Sequence, residues 1–283
     1  MKILVPLDGS TTDHLALTTA VHLSKKLRYY VMAMFVNIAG EYSPELTRYG
    51  SIKAMVDTEL QKKGQTVLDS AFSTGKTLGC QIEGIISYGV ADTEIVDYVN
   101  EHGVVKLVVM GGPSSEIGVE ICKNIIIGLR VPVFIVNKET EIKNILVAVN
   151  NSESSRRAAA YAALLSAKTS ADITLINVIP NTATILMNYG YFSEAPSMEK
   201  RIAQLEQYFS DRASGTLSAT LKGINVPAQC IIREGDAPYE LIRAASEFDL
   251  LVLGVSNSSE TYKMGNVSSK ILRNKQVNIL CVQ

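Results

Sequence analysis

The chain has 283 residues, 47% of them hydrophobic and 19% charged, and a formal net charge of −1. Such a length fits about two domains, each able to bury its own core, and the composition is that of an ordinary soluble globular protein. Near-neutral charge without a basic cluster argues against nucleic acid as the main partner, because phosphate contacts need concentrated Lys and Arg.

In chain order, the apolar run Ile3–Leu7 has strand length and the unbroken hydrophobicity of a strand covered on both faces. It runs into Asp8-Gly9-Ser10-Thr11-Thr12-Asp13, a turn rich in helix-capping residues. The helix that follows places Leu15, Ala16, Thr19, Ala20 and Leu23 on one face. Tyr30–Val36 reads as the second strand, and a polar stretch from Ile38 to Gly50 leads into a long helix with Ile52, Val56, Leu60, Val67, Leu68, Ala71 and Phe72 inward. Strand Gln81–Ser87, helix Asp92 to Glu101, strand Val104–Met110, helix Ile121 to Leu129 and strand Val131–Val136 complete the first half. The second half repeats this order: strand Ile145–Val149, helix Ser154–Lys168, strand Asp172–Val178 and an insertion from Pro180 to Pro196. A long helix with Met198, Ile202, Leu205, Phe209, Ala213 and Leu217 inward comes next. Strand Ala228–Ile232, helix Tyr239–Ser246, strand Leu250–Leu253, helix Val267–Arg273 and strand Val277–Val282 finish the chain.

The two halves also match residue by residue, about 143 positions apart. Lys2–Ser10 is answered by Asn144–Ser152, Leu107–Gly111 by Leu250–Gly254, and Val131–Val136 by Val277–Val282. Gly89 and Gly235 keep the same order, with Glu94 and Glu240 five residues beyond each. A repeat of this length is a whole domain rather than a solenoid unit, whose period is about 20–50 residues. Strands alternating with helices give parallel β/α units with right-handed crossovers, packed in three layers. The expected domains are therefore residues 1–138 and 142–283. The short linker Asn137–Glu141 carries no Pro or Gly, so the halves are expected to sit against one another.

Ligands of open parallel sheets collect at the carboxyl ends of the strands, near the switch point. Here those ends carry Asp8–Asp13, the stretch after Val36, Gly89–Asp92 and Gly111–Gly118 in the first half. Their counterparts are Asn150–Ser155, the stretch after Val178, Gly235–Pro238 and Gly254–Gly265. The last of these is the most informative: Ser256, Asn257, Ser258 and Ser259 follow a strand-end glycine, and Gly265-Asn266-Val267-Ser268-Ser269 opens a helix. Backbone N–H groups, a helix dipole and small hydroxyls together make a phosphate cradle. The alternative is a loop whose glycines allow positive φ and whose serines cap a helix.

The opening Ile-Leu-Val-Pro-Leu-Asp-Gly-Ser at 3–10, Gly235–Ile242, Asp249–Gly254, Gly265–Leu272 and the closing Val131-Pro132-Val133 resemble the universal stress protein family in its tandem form. The resemblance covers essentially all of both halves. It implies two tandem three-layer α/β/α domains of the adenine nucleotide alpha hydrolase-like kind, each with a five-stranded, mostly parallel sheet. It further implies that the last strands pair antiparallel, Val131–Val136 with Val277–Val282, making an internal pseudo-dimer. A further homodimer of the whole chain is compatible with it.

The ATP-binding branch of that family carries an Asp after the first strand, a backbone contact to adenine from the end of the second, and a loop G-x2-G-x9-G-S/T for phosphates. Carried over to the first half, the resemblance implies Asp8, Val36 and Gly111. There the loop is too short, Ser114 stands at the second Gly, and Val119 and Glu120 fall at the G-S/T pair, where a carboxylate would repel a triphosphate. In the second half it implies Asn150, Val178, Gly254, Ser256, Asn257, Gly265, Asn266, Val267 and Ser268. Asn150 replaces the acidic residue, Asn257 the middle Gly and Asn266 the Ser/Thr. An amide still hydrogen-bonds but loses the charge-assisted bond to a ribose hydroxyl. The resemblance thus implies a stress-response binding module taking ATP or another adenine nucleotide, with or without Mg, in its second domain. The runner-up is a scaffold without nucleotide, acting through protein contacts at the insertions.

Other residues point to ordinary roles. His14, His22 and His102 lack metal or triad spacing and read as solvated helix positions. Asp92, Glu94 and Asp97 start a helix, where the dipole favours negative charge. Ser10 and Ser152 follow a turn but no G-x-S-x-G elbow, so capping is the expected role. No catalytic residue is assigned, and a hydrolase or phosphotransferase ranks last because no base, nucleophile or metal-binding carboxylate converges near the Gly loop. Tyr189-Gly190-Tyr191-Phe192 in the insertion reads equally as a partner-binding or lid segment and as a fold-back over the core. Cys80, Cys122, Cys230 and Cys281 form no C-x-x-C pair, which suggests reduced thiols. No apolar stretch approaches the ~18 residues of a membrane span, and the opening lacks a basic n-region. A cytoplasmic location is the expectation.

Overall fold

The computed structural model describes residues 1–37, 50–182, 196–256 and 264–283. The first half comprises β1 (Lys2–Leu7), α1 (Asp13–Leu27), β2 (Tyr30–Asn37), α2 (Gly50–Thr77), β3 (Ile82–Tyr88), α3 (Ala91–His102), β4 (Val105–Gly111), α4 (Glu116–Gly128) and β5 (Val133–Val136). The second comprises β6 (Asn144–Ala148), α5 (Glu153–Thr169), β7 (Asp172–Ile179), α6 (Pro196–Ile224), β8 (Ala228–Glu234), α7 (Ala237–Ala245), β9 (Leu250–Gly254), α8 (Asn266–Ile271) and β10 (Ile279–Val282).

All ten strands form one sheet in the order β3-β2-β1-β4-β5-β10-β9-β6-β7-β8. Every neighbouring pair is parallel except β5 and β10, which run antiparallel with Ile135 opposite Ile279, Phe134 opposite Leu280 and Val133 opposite Cys281. The antiparallel seam that the resemblance implied is thus present inside one chain. Reversal at the seam sends the strand tips of the halves in opposite directions. Each half winds outward from its first strand in both directions, with switch points between β1 and β4 and between β6 and β9. The central strands are buried on both faces, as their unbroken apolar runs required. One face is covered by α1, α2, α5 and α6 through Ala16, Leu17, Ala20, Leu68, Ala71, Ala158, Ala162 and Leu217. The other carries α3, α4, α7 and α8 through Ile95, Val99, Ile125, Ile126, Leu241, Ile271 and Leu272.

The element boundaries move for local reasons. Helix α4 begins five residues before the expected Ile121, because Ser115 caps it by accepting from Gly118 N. Helix α7 starts at Ala237 rather than Tyr239, since Asp236 caps it and Pro238 occupies its first turn, where a missing N–H costs nothing. Phe72, expected inward, is 38% exposed. Gly89 and Gly235 take φ of +149° and +144°, a region closed to other residues, and turn the chain over the side chains of Glu94 and Glu240.

Side chains at the seam bind the linker. Asn278 is 1% exposed; its Oδ1 accepts from Asn137 N (2.9 Å) and Lys138 N (3.0 Å), and its Nδ2 donates to Lys138 O (3.1 Å) and Asp249 O (3.2 Å). Asp249 in turn accepts from Lys143 N and Asn144 N, both at 2.9 Å, and from the Thr140 hydroxyl at 3.0 Å. Partial burial works to raise the Asp249 carboxyl, but these donors outweigh it and hold it below the usual carboxylate range. Among the described residues, no helix is long and apolar enough to cross a membrane.

Candidate functional site

In the second half, the tips of β6, β7 and β9 and the starts of α5, α7 and α8 enclose a cavity of about 350 Å³. Asn150, Val178, Gly254, Ser256, Gly265, Asn266, Val267 and Ser268 all line it. The eight come from four separate stretches of sequence, and the switch point between β6 and β9 brings them together. Asn257, Ser258 and Ser259 lie outside the described residues, as do Tyr189-Gly190-Tyr191-Phe192 and most of the insertion. Ser154, Ser155 and Ala237, within the expected strand-end loops but not singled out as site residues, also line the cavity, as does Leu241, which the sequence reading missed. Aligning the repeat one turn further, to pair Ser155 with Asp13, was the signal that could have found Ser155.

Asn150 closes the turn after β6 with its side chain: Oδ1 accepts from Ser152 N at 2.9 Å. Asp8 does the same in the first half, where its Oδ1 accepts from Ser10 N at 2.8 Å. An amide therefore replaces the carboxylate without disturbing the turn. Ser152 caps α5 by accepting from Ser155 N, while the Ser155 hydroxyl accepts from Asn150 N (3.2 Å) and donates to Asn150 O (2.6 Å). Ser10 does not cap α1; its hydroxyl donates to Asp13 Oδ1 at 3.3 Å, and Asp13 Oδ2 accepts from Gly9 N at 2.8 Å. Among the described residues, none that lines the second cavity is ionisable. What it offers is a set of hydroxyl, carboxamide and backbone groups between apolar walls of Ile176, Val178 and Leu253. Such a set can bind and orient, and among the described residues it includes no acid or base.

The two glycines of the loop differ in what requires them. A Cβ on Gly254 would come within 2.5 Å of Ser154 O and Ser155 N, both backbone atoms, so the start of α5 can dock on β9 only against glycine. Gly111 sits at the matching place, where a Cβ would press first on the Thr12 side chain. Gly265 has φ −57° and ψ 151°, open to any residue, and a Cβ there meets nothing within 4 Å among the described residues.

The first half also has a cavity at its switch point, about 310 Å³, lined by Asp8, Val36 and Gly111 as expected, and by Asp13, Ser114, Ser115, Ile117 and Gly118. Val119 and Glu120, expected at its phosphate position, are not there. The earlier start of α4 carries Val119 into the core, 4% exposed, and Glu120 into an ion pair with Lys123 at 2.6 Å. The negative charge at this cavity comes instead from Asp8 and Asp13. Burial, and then the neighbouring Asp8 charge, push the Asp13 carboxyl up to about 6 against the backbone donors around it. The Cys122 thiol, also on the wall, is pushed up to about 12 by burial.

The Asp13 shift makes stability depend on pH. Its folded value lies above the ordinary 3.8, so the folded state holds the proton more tightly. The stabilising contribution is complete below 3.8 and is lost as pH rises through about 6. A full shift of this size is worth about 3 kcal/mol, which solvent screening at a half-buried site reduces to about 1 kcal/mol. Asp13→Ser, which copies the second half, should melt higher than the parent above pH 6 and lose that advantage below pH 4. Thermal melts across the range decide it; parallel curves would remove Asp13 as the cause.

The other acidic candidates are structural. Asp92 and Glu94 lie in the first turn of α3, with Asn124 donating to Asp92 at 2.6 Å and the Ser87 hydroxyl donating to Glu94. His102 ends α3, stacked on Tyr98.

A family model described as "Universal stress protein family" matches residues 141–283. No curated protein matches the chain. Among solved structures, a universal stress protein from Archaeoglobus fulgidus DSM 4304 is similar over 100% of this chain and 96% of its own, at 16% identity and TM-score 0.71. A universal stress protein from Archaeoglobus fulgidus in complex with dAMP is 18% identical over 48% of this chain and 97% of its own, with TM-score 0.37. A universal stress protein family protein from Arabidopsis thaliana with AMP bound is 16% identical over 50% of this chain and 92% of its own, with TM-score 0.37. With its ten-stranded sheet matched along its full length and the family model matched over half of it, the chain belongs to the universal stress protein family.

Proposed function

We propose that residues 142–283 form a binding domain whose cavity takes an adenine nucleotide, ATP included, and that the protein serves as a stress-response module reporting nucleotide to protein partners. One observation carries the reading: candidates scattered from Asn150 to Ser268 line a single cavity that has no carboxylate among its described residues. A polyanion meets no like charge among the described residues there, whereas in the first half it would face Asp8 and Asp13. Gly265 adds support, because neither backbone angle nor packing asks for glycine at that point. The nucleoside would lie between Asn150 and Val178, and the phosphates against Ser256, Gly265, Asn266 and Ser268, held by backbone and hydroxyl donors.

Calorimetric titration with ATP·Mg tests this. The parent should give a saturable heat, and Gly265→Asp should weaken binding by at least about 100-fold through like-charge repulsion. A Cβ at Gly265 meets nothing within 4 Å among the described residues, and an unchanged melting temperature separates lost binding from misfolding. Equal affinity in parent and variant would remove the nucleotide from this cavity. A scaffold without nucleotide is the second reading, favoured by the packing role of Gly111 and Gly254, which holds whether or not a ligand binds. No heat in the parent would establish it.

A further inference from the structure

Two of the helices at the cavities, α4 and α8, are gripped from the opposite half, α4 at its last turn and α8 through the segment that follows it. The residue after β5 is Asn137, whose Nδ2 donates across the seam to Val277 O (2.7 Å) and Asn274 O (3.3 Å), just beyond α8. The residue after β10 is Gln283, whose Nε2 donates across the seam to Ile127 O (3.1 Å) and Ile126 O, at the end of α4. The two carboxamides occupy equivalent places in the repeat and donate across the seam in opposite directions, Gln283 to the last turn of α4 and Asn137 to the segment beyond α8.

Both are also tied to the lip of their own cavity. Gly112, on the wall of the first cavity, donates to Val136 O at 2.8 Å, and Asn137 follows Val136. Val255, between the cavity residues Gly254 and Ser256, donates to Val282 O at 2.8 Å, and Gln283 follows Val282. The turn after α8 adds a second grip on the first cavity: Arg273 binds Glu116 with Nε at 3.4 Å and Nη2 at 3.0 Å, and Lys275 Nζ donates to Ser114 O at 3.2 Å.

We propose that the two cavities are coupled: whatever orders the start of α8 at the second cavity also shifts the lip of the first, and the reverse, through the reciprocal Asn137 and Gln283 clasps. Helix α8 has six residues, so its few internal hydrogen bonds make it a low-stability element whose position a ligand can bias. The antiparallel seam between the clasps is fully buried and serves as a fixed fulcrum. Linkage makes the effect equal in both directions. The coupling rests on the nucleotide reading for its ligand at the second cavity, but not for its wiring.

Amide exchange followed residue by residue, with and without saturating ATP·Mg, tests it. ATP should slow exchange at Gly118 and Val119, across the seam from its own cavity, by about fivefold. Asn137→Ala combined with Gln283→Ala should keep the calorimetric heat and lose most of that response, the Arg273 and Lys275 grip carrying the remainder. Without ligand, Asn137→Ala should speed exchange at Ser269, and Gln283→Ala at Val119, by about the same factor. Heat with unchanged exchange at Gly118 and Val119 overturns the coupling, as does the absence of any ligand-free response. No heat with the ligand-free responses intact removes the nucleotide reading and leaves the coupling standing.

Discussion

Replacing Asn278 by leucine is expected to destabilise the protein by about 3 kcal/mol or more, the largest single effect of any side chain at the seam. Leucine has nearly the same shape, so no cavity opens. What it removes is one acceptor and one donor that together satisfy two backbone N–H groups and two backbone carbonyls. Each buried group left unpaired costs about 1–3 kcal/mol, and the position is 1% exposed, so water does not easily take over. The repeat gives a built-in contrast, because the first half carries Pro132 where the second carries Asn278. Asn278 holds the start of the linker at Asn137 and Lys138, and Pro132 has no side-chain donor or acceptor to do the same. Urea unfolding of Asn278→Leu against the parent measures the loss; a change below about 0.5 kcal/mol, the scale of an ordinary surface substitution, would show that the clasp contributes nothing.

Gly254→Ala is expected to cost about 3 kcal/mol, while Gly265→Ala stays within about 0.5 kcal/mol of the parent. Both glycines belong to the same loop motif, and sequence treats them alike. The structure separates them: the Gly254 methyl would press on the backbone of Ser154 and Ser155, which cannot rotate away, whereas the Gly265 methyl meets nothing within 4 Å among the described residues. Thermal or urea unfolding of the two variants side by side is the measurement. Equal losses would mean that the close approach of α5 to β9 is not what selects glycine at 254.

Much of the fold was legible because its signals are local. A continuous apolar run such as Leu250–Leu253 marks a strand buried on both faces whatever its neighbours are, and a repeat of that run confirms it. The candidate site was legible to the extent that strand ends in parallel sheets attract ligands, which assigned the loops around Asn150 and Gly254. Less visible was the start of α4. The hydrophobic pattern rises at Ile121, but a single hydroxyl at Ser115 begins the helix a turn earlier, and with it Glu120 leaves the cavity it was expected to block. Asp13 was hidden for a similar reason. In sequence it is one more polar residue in a turn; in space it is half-buried on the wall of a cavity beside the exposed Asp8, and burial changes its proton affinity.

Taken alone, the sequence determined the duplication, the alternation of strands and helices in each copy and the places where the copies differ, since hydrophobic period and turn chemistry act over a few residues. Tertiary structure alone decided which carboxylates face a cavity, why one glycine is indispensable and its loop partner is not, and how Asn137, Asn278 and Gln283 stitch the halves together. Those outcomes depend on the register at which distant strands meet, and hydrogen-bond geometry and burial have no value until that register is set.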